Sequence, residues 1–195
     1  PANNVQKNKT PVLNKNKVNI LYGGNMAEAQ NLLGLLTCID LSVLGDKAEL
    51  TLIGNGHQLG EIENLIQKKK MYQIKILPEV EQPVYLAILE EADIGLVSLN
   101  KKLNSNNYPL KMMGYLQNGK PILASVNDGN EIIDLINKYE VGLTSIAEDS
   151  DQLNRNLRLM IEDEGLRKIQ GSNGIRLFED KFTVKAATNQ ILSHF

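Results

Sequence analysis

Cysteine is nearly missing: Cys38 is the one thiol in 195 residues. An internal disulfide and a thiolate metal site are therefore excluded, and a reducing cytosol fits such a chain. Histidine is almost as scarce, with His57 and His194 alone, too few to assemble an imidazole cluster around a metal. An excess of charge is lacking too: 21 Lys and Arg face 23 Asp and Glu, for a formal charge of -2 and a pI near 5.8. No global positive field is available to hold a nucleic-acid backbone. No apolar run approaches the roughly 20 residues that span a bilayer, and the start lacks the apolar core of a secretion signal. Membrane contact by this chain is expected to be peripheral. A Ser-His-Asp order, H-E-x-x-H and the P-loop G-x-x-x-x-G-K-[ST] are all absent, so no self-sufficient catalytic constellation can be named.

What is present is a globular composition, 42% hydrophobic and 23% charged, of a length that suits one domain. Residues 1–17 are polar, rich in Asn and Lys and carry two prolines, which predicts a linker. From Val18 onward short aliphatic runs alternate with amphipathic stretches. Strands are predicted at Val18–Tyr22, Glu49–Ile53, Ile74–Leu77, Ile94–Leu99, Pro121–Ser125 and Val141–Thr144. Several are apolar without alternation, as parallel strands covered on both faces are. Ala29, Leu32, Leu36, Ile39 and Val43 predict one helix ended by Gly45. Further helices are predicted at Leu59–Lys70, at Val84–Glu91 with Leu86, Ile88 and Leu89 inward, from Pro109 to Gly119, and at Asn130–Lys138. The tail is predicted all helical: Asp151–Glu162, Glu164–Asp180, and Val184 to the end behind an N-cap at Thr183. Six successive βα units imply right-handed crossovers and a doubly wound α/β fold. Its six-stranded parallel sheet has order 3-2-1-4-5-6, helices on both faces and a helical carboxyl-terminal tail.

In such a sheet ligands bind at the carboxyl ends of the strands, near the reversal of strand order. The loop after the first strand is Gly23-Gly24-Asn25-Met26, where glycines let backbone approach a phosphate; a plain tight turn explains them equally well. It is not a full G-x-G-x-x-G, which disfavours a dinucleotide. Gly54-Asn55-Gly56-His57 follows the second strand, and His57 reads as a surface or capping imidazole. The Asn-rich loop 100–108 leads into the helix opened by Pro109. Lys111 in its first turn opposes the helix dipole, a placement that favours an anion nearby.

Taken in order, Ile20-Leu21-Tyr22-Gly23-Gly24-Asn25-Met26, Leu50-Thr51-Leu52-Ile53-Gly54-Asn55-Gly56, Ile76-Leu77-Pro78, Glu91-Ala92-Asp93-Ile94-Gly95-Leu96, Tyr108-Pro109-Leu110-Lys111 and Gly119-Lys120-Pro121-Ile122-Leu123-Ala124 form a connected pattern. Over residues 18–195 the chain resembles the C-terminal, donor-binding half of GT-B-fold retaining glycosyltransferases of the family-4 type, closest to bacterial O-antigen and capsule enzymes. The resemblance implies a nucleotide diphosphate sugar, UDP-linked in the usual case, with the base near Leu77 and Val80. Gly24 and Asn25 would lie near sugar or diphosphate, with Gly54 also among the donor-binding residues, the Asn107-Tyr108-Pro109-Leu110 segment would offer backbone N–H groups to phosphate oxygens, and Lys111 matches the lysine of a P-S-K-like run. It implies no metal and no cofactor, since helix dipoles and cations stabilise the leaving diphosphate; catalytic side chains remain unassigned.

The sequence also departs from the family. Gly114 stands where a glutamate usually grips the ribose hydroxyls, Asn106 where its partner glutamate of the E-x7-E pattern falls, and Ala29 or Gln30 where many relatives carry a basic side chain. The resemblance implies a second, acceptor-binding domain, on the same chain or a partner subunit, and a lipid-linked or polysaccharide acceptor at the cytoplasmic face of a membrane. The chain is expected to be inactive alone. Its linker-like start reads as the connection to a preceding domain. A noncatalytic nucleotide-binding partner subunit, a flavodoxin-like domain and a sugar-nucleotide epimerase-like domain are the competing readings.

Overall fold

The computed structural model describes residues 13–102 and 109–183. Six strands, β1 (Val18–Gly23), β2 (Ala48–Ile53), β3 (Ile74–Leu77), β4 (Ile94–Ser98), β5 (Ile122–Val126) and β6 (Gly142–Ile146), form one sheet. Its order is β3-β2-β1-β4-β5-β6 and every pair is parallel. The doubly wound fold predicted from the hydrophobic runs is therefore the one the chain adopts. Only Val18 of β1 and no residue of β2 escapes burial, because helices cover both faces and water reaches neither.

The helices are α1 (Leu32–Cys38), α2 (Leu41–Leu44), α3 (Leu59–Lys69), α4 (Gln82–Glu91), α5 (Leu110–Gln117), α6 (Glu131–Tyr139), α7 (Ser150–Glu162) and α8 (Glu164–Lys181). On one face Leu35 and Leu36 of α1 meet Leu153, Leu157 and Met160 of α7 over Ile20, Leu50 and Leu96. On the other, Leu89 of α4, Met112 and Tyr115 of α5, Ile136 of α6 and Leu177 of α8 pack on Leu21, Val97 and Ala124. The two tail helices thus clamp opposite faces. Within residues 13–17, Leu13 is buried while Lys15 and Asn16 are exposed, and Lys17 pairs at 3.0 Å with Glu49, which also receives Lys75. Burial alone would raise the Glu49 carboxyl, but the two ammonium groups outweigh it and hold it below the usual carboxylate range.

Three local expectations are corrected. The single helix drawn through Ala29 and Val43 is a 3-10 turn, Glu28–Gln30, followed by α1 and α2. Asn31 sits in left-handed backbone at φ 48°, and Ile39 and Asp40 are extended. The second break is held from α7, where the Asn154 amide donates to the Cys38 carbonyl at 2.8 Å and accepts from the Asp40 N–H at 2.9 Å. A side chain more than 110 residues away thus ends α1 and starts α2, which periodicity cannot register. In α4 the inward face is half-buried Tyr85 with buried Ile88 and Leu89, continued by the C-cap Ala92, leaving Leu86 41% exposed rather than inward. The helix starts two residues earlier than predicted, at Gln82, and the i, i+3, i+4, i+7 face passes beside Leu86. Pro109 is the N-cap of α5 rather than its first helical residue. The helix predicted from Val184 lies outside the described residues, and the Thr183 hydroxyl donates to the Glu179 carbonyl at the end of α8.

Replacing Asn154 by Ala removes both bonds at the α1–α2 break. We expect a loss of about 1–2 kcal/mol in urea unfolding, with the slope of the transition unchanged; a loss below a few tenths would show that the break is set locally.

Candidate functional site

The carboxyl ends of β1, β2 and β3 open onto a cleft of about 700 Å³. Its floor is made by two turns that continue the parallel ladder beyond the strands. Gly24 N–H donates to Ile53 O at 2.9 Å, Met26 N–H to Asn55 O at 2.8 Å, and Gly54 N–H to Leu77 O at 3.3 Å. Gly54 (φ 144°) has no room for a side chain, since a Cβ would stand 2.0 Å from the Gly24 carbonyl oxygen. Gly54 is therefore required by backbone contact, which ties the two turns together and leaves Gly24 and Asn55 exposed on the cleft floor.

Three tyrosines brace the first turn. The Tyr22 hydroxyl donates to the Asn25 carbonyl at 2.6 Å. Tyr115 of α5, fully buried, accepts from the Gly23 N–H at 3.3 Å and donates to the Leu21 carbonyl at 3.0 Å. The Tyr85 and Tyr115 hydroxyls are hydrogen-bonded to each other, and the Tyr85 ring lies against Gly23, where a Cβ would meet it at 2.4 Å. Burial pushes all three phenols above their ordinary range, so they are neutral around pH 7.

Lys111, in the first turn of α5, reaches the same place. Its Nζ stands 3.7 Å from the centroid of the Tyr22 ring and 3.3 Å from where a Cβ on Gly24 would be. No carboxylate among the described residues pairs with it. Burial alone pulls its ammonium down to about 7 from the usual lysine value. A largely buried cation with no anionic partner, at the positive end of a helix and beside a glycine turn, is arranged to receive an anion.

The site residues named from the sequence sort as follows. Gly24, Asn25, Gly54 and Val80 line the one cleft. Leu77 ends β3, where its carbonyl receives the Gly54 N–H and its side chain packs in the α4–α5 core. Lys111 stands at the Gly24 edge of the cleft. Pro109 caps α5, and Leu110 is 88% exposed beside it. Asn107 and Tyr108 lie outside the described residues. Sequence reasoning did not single out Glu79, Asn55 and Tyr85, which also line the cleft, nor the bracing by Tyr22 and Tyr115. Tyr22 lies in the quoted pattern, but nothing in it announces the ring's contact with Lys111. His57 is exposed. Among the described residues no group of three or more His, Cys, Asp and Glu is placed to hold a metal ion. At Gly114 an added Cβ would meet Leu89 at an ordinary 3.7 Å, so the backbone there does not demand glycine.

Fold and cleft define an open parallel α/β domain with its cleft at the carboxyl edge of the sheet, where domains of this class take their ligands. More particularly, the chain belongs to the family described as glycosyl transferases group 1, whose sequence pattern matches residues 4–177. Among solved structures it is similar to TarM from S. aureus in complex with fondaparinux, alpha-GlcNAc-glycerol and UDP (TM-score 0.75, 13% identity, 94% of this chain and 36% of that one). It is similar to Anabaena Alr3699/HepE in complex with UDP (TM-score 0.74, 16% identity, 92% and 48%). It is also similar to the C-terminal domain of the group 1 glycosyl transferase LpcC from Francisella tularensis (TM-score 0.67, 17% identity, 85% and 86%). It thus spans less than half the length of TarM and HepE and nearly all of an isolated C-terminal domain. Among curated proteins no sequence matches it. No helix among the described residues is long and apolar enough to cross a membrane.

The lowered lysine has a signed consequence. Between about pH 7 and the unfolded lysine range near 10.4 the unfolded chain binds more protons than the folded one, so stability rises with pH. Below about 7 the folded protein carries the buried charge and the penalty is complete. Lys111→Met is expected to flatten this rise when urea midpoints are compared at pH 6.5 and 9.5; an identical slope in the variant would refute the assignment.

Proposed function

We propose that this chain is the donor-binding half of a group 1 glycosyltransferase, and that its ligand is a nucleotide diphosphate sugar, UDP-linked. The observation that carries the reading is the unpartnered Lys111 ammonium at the edge of a cleft floored by two interlocked glycine turns. TarM and HepE, which share the fold, were solved with UDP bound. In this reading the base lies toward Val80 and the end of β3, and the diphosphate lies over Gly24 and Asn25 toward the first turn of α5. Backbone N–H groups and Lys111 stabilise the charge that builds on the diphosphate as the glycosidic bond breaks, a role a metal would otherwise fill. The acceptor, a lipid-linked sugar or polysaccharide of the O-antigen or capsule type, is held by a second domain, which places the work at the cytoplasmic face of a membrane. The resemblance to O-antigen and capsule enzymes makes an N-acetylated deoxyhexose the donor sugar to test first. Gly114 in place of a ribose-gripping glutamate favours one alternative, a noncatalytic partner that binds the nucleotide for a separate acceptor subunit.

Titration calorimetry of the 195-residue chain tests the reading. UDP is expected to bind, and Lys111→Met to weaken it about 10- to 100-fold, the worth of a charge-assisted hydrogen bond of about 1.5–3 kcal/mol. Gly54→Val, which drives a side chain into the Gly24 carbonyl, is expected to abolish binding. Flavin mononucleotide binding in place of UDP, or binding indifferent to both substitutions, would overturn the assignment.

A further inference from the structure

A lysine inside a protein is ordinarily kept charged by a carboxylate, which occupies its donors and cancels its field. Lys111 is held differently. The ring it stands over is the phenol of Tyr22 on β1, and Tyr22 in turn neighbours two further phenols, Tyr85 on α4 and Tyr115 on α5. None of them carries a charge near neutral pH, and no carboxylate among the described residues pairs with the ammonium. The face of the Tyr22 ring, fully buried and 3.7 Å from Nζ, is its one attractive partner among those groups. A ring face attracts an ammonium through its quadrupole without being a counterion. The same ring is fixed by its hydroxyl to the Asn25 carbonyl, so the lysine is tied, through one side chain, to the turn on the cleft floor.

We propose that Tyr22 is a positioning residue: its ring face holds Lys111 at the Gly24 edge of the cleft in place of a carboxylate, so that the bound diphosphate becomes the counterion and its arrival draws a proton onto the lysine. This rests on the donor reading above and adds to it a linkage between binding and pH. The balance is simple: a neutral Lys111 amine takes one proton from solvent as the anion enters, and releases it when the anion leaves. With the ammonium of the empty site near 7, roughly half of the molecules are protonated at neutral pH and few at pH 8.5, where uptake on binding approaches one proton.

The experiment is UDP calorimetry on the full chain at pH 7.5 and 8.5, each in two buffers of different ionisation enthalpy. Both values lie above the second phosphate ionisation, near 6, of the ligand. We expect affinity to fall up to about tenfold between the two pH values and the heats to report proton uptake. Tyr22→Phe, which keeps the ring, should retain the linkage. Tyr22→Leu should bind about 2- to 30-fold more weakly, the span of a cation–π contact, with its pH profile displaced to lower pH. Lys111→Met should bind weakly and without proton uptake. In the unsubstituted chain, proton NMR of lysine ε-methylenes supplies a reading that survives a folding failure of Tyr22→Leu: the Lys111 signals should be shifted upfield by the Tyr22 ring current. UDP binding without buffer-dependent heat, a Tyr22→Leu profile equal to that of the parent, or unshifted ε-methylenes would each overturn the role of Tyr22 while leaving donor binding intact. Absence of any UDP binding would instead remove the donor reading, and this inference with it.

Discussion

Gly54 lies against the carbonyl of Gly24, and this backbone-on-backbone contact is what the rest of the site depends on. It lets the β1–β2 ladder run past its last regular pairs, Gly24 on Ile53 and Met26 on Asn55, so that two loops become one floor. A Cβ at position 54 would have to displace a main-chain oxygen, and main chain embedded in a parallel sheet yields little. The cleft is therefore built before any ligand arrives, which lowers the ordering cost of binding.

Beneath that floor the architecture trades charge for aromatic area. Tyr22, Tyr85 and Tyr115 come from a strand and two helices, and their hydroxyls are spent on the backbone of the glycine turn and on each other. Their rings fill the space that α4 and α5 would otherwise leave open below Gly23. The consequence is electrostatic as much as steric. Among the described residues no carboxylate pairs with Lys111, so the charge of its protonated form is uncompensated at the cleft edge. By the resemblance, Gly114, Asn106 and either Ala29 or Gln30 stand where acidic and basic side chains are expected. In the donor-binding reading we propose, an anion would be recognised through backbone donors and Lys111, a simpler arrangement whose pH sensitivity would come from the lack of a partner acid among the described residues.

Packing explains where local readings of the sequence diverge from the structure. The break between α1 and α2 is held by Asn154, whose amide belongs to a helix on the far side of β6 in the sequence. Leu86 looks inward by composition, yet the stripe of α4 is placed by Tyr85, which must reach Gly23 and Tyr115. In both cases a distant contact outweighs the local pattern.

Much of the fold is written in short-range features of the chain. Unalternated aliphatic runs specify strands shielded on both faces, amphipathic stretches between them specify crossovers of one hand, and together they lead to the 3-2-1-4-5-6 order. Glycine pairs after the first two runs mark the cleft edge: at Gly54 and Gly56 a Cβ would strike main chain, and at Gly23 the Tyr85 ring. What tertiary structure alone decided is how the named residues stand toward one another. Tyr22 and Lys111 are separated by 89 positions, and the ring that holds the lysine lies in a strand whose other residues are ordinary core. Periodicity records which face of an element is buried; it carries no record of which side chain from another element meets it there. That is why the location of the cleft could be read from the sequence, and the ring that meets Lys111 at its edge could not.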